Sequence, residues 1–578
     1  MEEKEEDEES RSASLIAVPD QVSSDEVPDA VGCMTKIRQA LPDSIGEEMR
    51  KISALAGPAF LSQLMIFMIS IVSSIFCGHL GKVELDAVSL AIAVVNITGV
   101  AVGAGLAGAC DTLISQSYGG RNLKLVGTIL QRGILILLLF CFPCWALFLN
   151  TEPILLLFRQ NPDVSRLTQI YVLIFIPALP ASFLYQLQAK YLQNQGIIFP
   201  QVLTGLVANI FNALINYIFL YVLGLGVMGS AWANTISQYL QAILLFGYIV
   251  WRKLYVDTWG GWSMACFEEW GSFTRLAIPS MLMLCIEWWT FEIGIIMAGV
   301  LGVEDLGAQS IIYQMANIVF MVPVGYSIAT SVRVGHSLGA GDIAQAKKSM
   351  VVALLMTEGC ALTCCILLVS VKDVIAYVYT TEQEIVKLVS YVLPVYAGSH
   401  LFDGCVATCG GILRGTGKQK IGAIFHAVGY YIICLPVAVS LMFAAKIGII
   451  GFWIGALLCA FLQCIGFLIF VFRIDWDKAS QEAQARAKDR QMILAANSDP
   501  AIYQRASVKD TREESKTGIC KDLETDETLD NVENEHFQPE SLYQKQPLSK
   551  RELIVQRSLV LIAAITVLMV GILIRLCV

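Results

Sequence analysis

Long apolar runs alternate with short polar stretches through the middle of this chain, and they predict membrane-spanning helices. Six runs lie near 52–77, 85–110, 126–149, 167–192, 198–222 and 228–251, and six more near 274–301, 307–332, 350–371, 388–412, 421–444 and 449–472. A last run covers 558–576, after a polar stretch from about 474 to 550. Each run is long enough to cross a hydrocarbon core about 30 Å thick. The pattern predicts an all-α polytopic membrane protein.

The two sets of six runs are copies of one another. The motif LAxP at 55–58 recurs at 276–279, an offset of 221, and SxG at 117–119 recurs at 337–339, an offset of 220. An even number of spans per copy gives both copies the same orientation, and transporters place substrate sites between such halves. We therefore expect two six-helix lobes from a parallel repeat, plus a thirteenth C-terminal transmembrane helix.

These patterns divide the chain into five predicted parts. They are a cytoplasmic acidic tail at 1–50, a first lobe at 51–260, a second lobe at 261–475, a disordered cytoplasmic linker at 476–552 and the C-terminal transmembrane helix at 553–578. Most Lys and Arg residues of the short loops fall on the side of the N-terminus, for example at Arg121, Lys124 and Arg252. The positive-inside rule then places the N-terminus in the cytoplasm and the C-terminus outside the cell.

Composition agrees with this class of protein. The 578 residues are 56% hydrophobic and 15% charged, whereas about a quarter of the residues of a soluble domain are charged. The formal net charge of −9 comes from the acidic tails and says little about partners, and we expect no nucleic acid among them. The 17 cysteines lie mostly in apolar runs, where Cys behaves as a small buried hydrophobe. We expect no metal and no cofactor.

Several polar or small residues within the runs allow two interpretations. GAGLAG at 103–108 matches GxGxxG, but a dinucleotide site needs a preceding strand, so we favour close helix packing. Asn96 and Gln63 are either hydrogen-bonded between helices or directed into a cavity. Pro177 and Pro180, with Pro394 in the second copy, predict interrupted helices, either static kinks or bending points.

Acidic side chains inside the apolar runs are the main candidates for function. Glu287 and Glu292 lie in the seventh run, and Asp403 lies in the tenth, one turn after His400. A carboxylate at a helix centre costs about 3 kcal/mol on insertion scales. These acids therefore either face a hydrated cavity or are protonated for part of a cycle, unless they are satisfied buried polar groups. Asp111, near a helix end, has a structural or a functional role.

Helix geometry separates the two glutamates. Five residues correspond to roughly 140° of rotation about a helix, so Glu287 and Glu292 do not both point into one narrow site. Glu287 is favoured as the central site and Glu292 as a peripheral one. The nearby aromatic residues are Trp288, Trp289, Phe291 and Tyr313. Aromatic faces combined with carboxylates suit organic cations.

Longer motifs carry a family resemblance. The stretches GACDTLISQSYG, AIPSMLMLCIEWW and GGILRGTGKQ resemble those of the vertebrate multidrug and toxin extrusion (MATE) transporters, and the likeness covers about residues 50–475. The resemblance implies electroneutral proton/organic-cation antiport across apical plasma membranes. It also implies functional acids at Glu287 and Glu292, functional cysteines at Cys77 and Cys141, and a sensitive histidine at His400.

Two positions depart from the family pattern. The family carries a glutamate after the tyrosine of its eighth span, whereas this chain has Gln314 in IIYQ. The family also has SHLFE where this chain has SHLFD, with Asp403. The loss of a titratable group at Gln314 puts in question either the role of that position in proton transport or the substrate range of this protein.

The hypothesis is proton/organic-cation exchange by alternating access, without enzymatic activity, by a protein that works as a monomer in the lipid bilayer. A Na⁺-coupled cation exporter is one alternative, but bacterial relatives often use an aspartate in the first span, and 52–77 contains no acid. A lipid or peptide flippase is another. An enzyme would need a nucleophile–base pair or a metal cluster, and the five histidines are not clustered.

Overall fold

The structure, a computed structural model, describes residues 44–498 and 550–577, and these residues are mostly helical and include no strand. In chain order the long helices are α1 Ser44–Gly78, α2 Val83–Gly119, α3 Leu123–Leu149, α4 Pro162–Phe175 with Ala178–Gln193, α5 Phe199–Val222, α6 Val227–Trp251, α7 Trp270–Leu301, α8 Val303–Gly339, α9 Ile343–Val371, α10 Gln383–Thr416, α11 Gln419–Ala444, α12 Ile449–Phe472, α13 Trp476–Ser498 and α14 Lys550–Cys577. The predicted tail up to residue 43 and the linker at 499–549 lie outside this description.

The predicted spanning runs are all present as helices. Within the described ranges, 11 helices are long and apolar enough to cross a membrane, and 12 if the two pieces of α4 form one span. Helix α6 also corresponds to a predicted span and is 25 residues long, but it is not among these 12 helices. The polar side chains of Asn234, Ser237 and Gln241, which are buried, make its sequence less apolar. The all-α polytopic class is therefore confirmed, and α14 fits the predicted C-terminal span.

The prolines give a mixed result. The two pieces of α4 meet at an angle of 59°, with Pro177 at the junction and Pro180 in the first turn of the second piece. By contrast, α10 continues as one helix through Pro394, so the prediction of an interruption there is wrong. A single proline frees only one carbonyl, which the neighbouring helices of a membrane bundle can accommodate.

The prediction of a disordered linker from 476 is also wrong at its start, because 476–498 form helix α13. Ala479, Ala483 and Ala487 recur every four residues along one face and are buried, as is Trp476. The charged composition of this stretch concealed a narrow apolar stripe that packs on the protein.

Apolar side chains form separate cores in the two copies. We call α1–α6 the first half and α7–α12 the second half. One core contains side chains of the first half together with the first two turns of α7, and another contains side chains from the rest of α7 to α12. A third core joins α8, α9, α10 and α12 to α13.

Two of the helix pairs that connect the halves approach closely at glycines. A Cβ at Gly105 of α2 would collide with the Cα of Met281 on α7, and one at Gly108 would collide with Ser280. On the other pair, a Cβ at Gly325 of α8 would lie 2.7 Å from the carbonyl oxygen of Ala56 on α1. The interpretation of GAGLAG as a helix-packing motif is thereby confirmed.

The ends of α2 and α8 meet in a reciprocal contact. We call this end of the bundle the basic end, because Arg121, Lys124, Arg333, Lys347 and Lys348 lie there. A Cβ at Gly119 would collide with the carbonyl oxygen of His336, and a Cβ at Gly339 would collide with that of Gln116. The two glycines belong to the repeated SxG motifs, so the same surface of each half packs against the other half.

Candidate functional site

Two carboxylates approach each other inside the second half. Glu287 on α7 and Asp403 on α10 are close enough to interact electrostatically, and Arg414 is the positive charge that acts on Glu287. Asp403 accepts a hydrogen bond of 3.2 Å from Ser399 Oγ. Two neighbouring carboxylates repel each other when both are ionised. The arrangement therefore favours a shared proton or a bound cation.

Aromatic rings border this acid pair. Tyr430, on α11, interacts electrostatically with both Glu287 and Asp403. The Phe291 ring lies 6.3 Å from that of Tyr430 and 6.0 Å from that of Tyr313, measured between centroids. Phe291 is therefore central to the aromatic cluster, on the side of α7 that Glu287 shares.

Glu292 has different neighbours from Glu287. Its carboxylate faces the hydroxyl group of Tyr313 on α8, and that hydroxyl also faces Asn317. The predicted angular separation of the two glutamates therefore appears as two environments, one facing α10 and one facing α8. Tyr313 connects them, because both glutamates act on it electrostatically.

His400 lies in the core next to the acids. Its side chain is fully buried, and among the described residues neither ring nitrogen has a hydrogen-bond partner. Its ring lies 6.0 Å from that of Tyr396, which in turn lies 5.1 Å from Trp453. Trp453 Nε1 donates a hydrogen bond of 2.9 Å to Gln309 Oε1.

No described contact joins the other candidate residues to the acids and aromatic rings of the second half. Gln63 and Asn96, on α1 and α2, are half-buried in the first half. Trp288 is half-buried and Gln314 is exposed. The Trp289 indole, also partly exposed, donates a hydrogen bond of 3.3 Å to the Ile97 carbonyl oxygen of α2.

The two candidate cysteines lie in the core of the first half. Cys77 and Cys141 are both fully buried there, on α1 and α3. A thiol reagent therefore reaches them only if this half opens. Their proposed sensitivity to such reagents stays a prediction.

Asp111 belongs to a polar network at the basic end. It accepts hydrogen bonds from Lys190 Nζ at 2.9 Å and from Asn194 Nδ2 at 3.1 Å. Arg414 of the second half lies 3.7 Å from the same carboxylate. Asp111 is buried, so these cations compensate its charge, and its contacts are those of a structural residue that joins the halves.

The sequence interpretation missed Glu358. This residue lies inside α9, and among the described residues its buried Oε1 has no hydrogen-bond partner. The oxygen is 3.9 Å from the position that a Cβ on Gly404, the neighbour of Asp403, would occupy. The signal that identified Glu287, an acid within an apolar run, also identifies Glu358. Tyr430 gave no comparable signal, because an aromatic residue in a spanning run is ordinary.

Comparison with known proteins agrees with this architecture. The MatE family profile matches residues 58–222 and 279–440. The chain belongs to the MatE family. The two matches start at 58 and 279, a difference of 221, which is the offset of the internal repeat.

MATE relatives match nearly the whole chain. Multidrug and toxin extrusion protein 1 of Xenopus tropicalis is 63% identical over 556 residues, which cover 96% of each protein. The human protein of the same name is 54% identical over 532 residues, 92% of this chain and 93% of that protein. The crystal structure of the eukaryotic MATE transporter AtDTX14 matches with a TM-score of 0.75 at 28% identity, over 77% of this chain and all of that one (100%).

Family membership gives the general function. The chain is a multi-pass membrane transporter of the multidrug and toxin extrusion type. The acid pair, the aromatic cluster and the packed basic end are the features of this chain from which a coupling mechanism can be argued.

Proposed function

We propose that this MATE transporter exchanges protons for small organic cations by alternating access between its two halves. Its basic end and N-terminus are cytoplasmic, its C-terminus is extracellular, and it exports cations, as a monomer, across the apical plasma membrane. The observation that carries the coupling proposal is the Glu287–Asp403 pair inside the second half.

The pair supports exchange because a proton and a cation compete for the same negative charge. With Glu287 deprotonated, the site attracts a cation, and the faces of Phe291 and Tyr430 add cation–π attraction. A proton from the outer side then neutralises the carboxylate and releases the cation. Glu292, beside Tyr313, is proposed as a second acid of this site, and His400, Gln63, Asn96, Trp288 and Gln314 as further cavity residues.

Mutual exclusion at one site couples the two fluxes without separate paths. One pH unit is equivalent to about 1.4 kcal/mol, so one-for-one exchange supports roughly a tenfold cation gradient per unit. No cofactor takes part in this scheme. The proton is the coupling ion.

A Na⁺-coupled exporter is the closest alternative. A hard cation such as Na⁺ needs only oxygen ligands, whereas the rings that border the pair here add cation–π attraction for an organic cation. In addition, the apolar part of α1, from 52 to 77, contains no acid. A lipid or peptide flippase, the other alternative, would be expected to have a more basic and less aromatic cavity.

Ion gradients across proteoliposomes test the proposal. Vesicles that contain the full-length protein and have an acidic interior are expected to accumulate tetraethylammonium, about tenfold per pH unit, because protons leave as the cation enters. A Na⁺ gradient at equal pH is expected to produce no accumulation. Protein-free vesicles are the control. Accumulation driven by the Na⁺ gradient would show that Na⁺, and not the proton, is the coupling ion.

A further inference from the structure

Helix α13 lies across the basic end and contacts both halves. Its attachment to the second half is apolar: Trp476, Ala479 and Ala483 join a core with Val334 and Leu338 of α8. All three α13 side chains are at most 5% exposed. Burial of this kind stabilises in proportion to the apolar area removed from water.

A salt bridge supports the same attachment. Lys418 Nζ, at the turn between α10 and α11, donates a hydrogen bond of 2.9 Å to Glu482 Oε2 on α13. Gln484 packs against Gly341 at the turn between α8 and α9. The second half therefore holds α13 through its interior and at two of its turns.

The contacts of α13 with the first half are of another kind. Arg486 Nη1 donates a hydrogen bond of 2.9 Å to Gln116 Oε1 on α2. Asn122 Nδ2 donates one of 2.8 Å to the carbonyl oxygen of Ala487. The Ala487 methyl group lies 2.9 Å from the position that a Cβ on Gly120 would occupy. Apart from the contact of the Ala487 methyl group, these contacts are polar, and on α13 they come from the adjacent residues Arg486 and Ala487.

Arg486 is placed at the junction of the halves. Its Nη1 lies 2.8 Å from the position that a Cβ on Gly417 would occupy, and Gly417 has a φ of +79°. Gln116, its partner, also donates a hydrogen bond of 2.9 Å to the Gly415 carbonyl oxygen of α10. Burial lowers the pKa of Arg486, and the neighbouring Glu482 opposes this effect.

We propose that α13 is a strap that stays on the second half and releases the first half each time the basic end opens. The proposal rests on the alternating-access function proposed above. Its basis is the difference between the two attachments, since an apolar core cannot separate without exposing its side chains to water, whereas the polar groups on Gln116 and Asn122 can exchange their partners for water. Arg486 then acts as a positioning residue that favours the closed state of this end.

A buried reporter measures opening of the basic end. Thr112 of α2 is fully buried, and its hydroxyl accepts a hydrogen bond of 2.6 Å from Gln419 Nε2 of the second half. In the full-length Thr112→Cys protein in lipid nanodiscs, a membrane-impermeant maleimide is expected to label this position only when the basic end opens. The chain with Thr112 retained gives the background from native cysteines.

Loss of the Arg486 contact is expected to open this end more often. Adding Arg486→Gln to the reporter removes a charge-assisted hydrogen bond to the first half and leaves the apolar attachment, so labelling should be about tenfold faster. Lys418→Gln is the matched control, because it removes a charge contact of the same helix with the second half, and it should change the rate less than twofold. Equal rates for Arg486→Gln and the parent, or equal acceleration by both variants, would overturn the proposal.

A cross-link provides an independent arm. In Gly120→Cys/Ala487→Cys, a shift of less than about 1 Å brings the two Cβ atoms into disulfide range. Oxidation is expected to stop tetraethylammonium exchange, and reduction to restore it, because the strap can no longer leave α2. Exchange at the parent rate after complete oxidation would contradict the strap. If the wild-type protein exchanges the cation for Na⁺ rather than H⁺, only the proposal of proton coupling fails. The labelling experiment and the cross-linking experiment then still test the strap, with exchange of the transported cation measured in a Na⁺ gradient.

Discussion

Glu287→Gln is expected to reduce proton-driven tetraethylammonium uptake to the level of protein-free vesicles. The amide has the size of the side chain and, like the protonated acid, one donor group and one acceptor group, but it carries no charge and cannot lose a proton, so it neither attracts the cation nor exchanges it. Uptake into vesicles with an acidic interior measures the effect. In the wild type the rate should rise as the interior becomes more acidic, whereas residual uptake by the variant should be independent of pH.

Glu304→Gln is the matched control for this experiment. Glu304 is an exposed acid at the start of α8, so its loss removes the same charge from the chain without touching the acid pair, and uptake should be unchanged. Glu292→Gln is expected to fall between the two, because Tyr313 remains to line the site. Proton-driven uptake by Glu287→Gln at the wild-type rate would show that another acid couples the fluxes.

Gly339→Ala is expected to reduce exchange at least about tenfold by preventing closure of the basic end. The added Cβ would collide with the carbonyl oxygen of Gln116, a backbone atom that cannot rotate away, and overpacking of this kind costs typically 1–3 kcal/mol. Alanine is otherwise the better helix former. The protein should therefore still fold, and the Thr112→Cys reporter should show a basic end that is open for most of the time.

Gly119→Ala should have a similar effect, because its Cβ would collide with His336 in the same way. Gly359→Ala is the control, since Gly359 lies within α9 and nothing is within 4 Å of the position of its Cβ. A loss of exchange in all three variants would point to a general intolerance of helix substitutions. Normal exchange in Gly339→Ala would mean that closure does not need this contact.

Most of the helical architecture could be predicted from hydrophobic length and from the repeat. A membrane-spanning run carries its signal locally, in about 20 consecutive residues. Helix α13 was missed for the opposite reason: its buried stripe is made of alanines spaced by four, within a charged stretch. The prediction of an interrupted helix at Pro394 was wrong because the free-energy cost of a proline within a helix depends on the neighbouring helices, which the local sequence does not describe.

The candidate site could be predicted only in part. Glu287 and Asp403 were identifiable as acids in apolar runs, and their approach to one another depended on how α7 packs near α10. The different neighbours of Glu287 and Glu292 followed from helix rotation alone. Tyr430 could not be found, because it reaches the acids from α11, about 140 residues further along the chain than Glu287. Glu358 could have been found by the same signal as Glu287, an acidic residue within an apolar run.

The reciprocal contact of Gly119 and Gly339 gives the basic end the symmetry of a homodimer interface. Each half supplies one glycine, whose missing Cβ leaves space, and one carbonyl group that occupies the space at the glycine of the other half. Two equivalent contacts therefore hold the basic end closed, and the two halves can begin to separate at either contact. Among the described residues, the first half has no counterpart of helix α13, so this helix breaks the two-fold symmetry of the basic end.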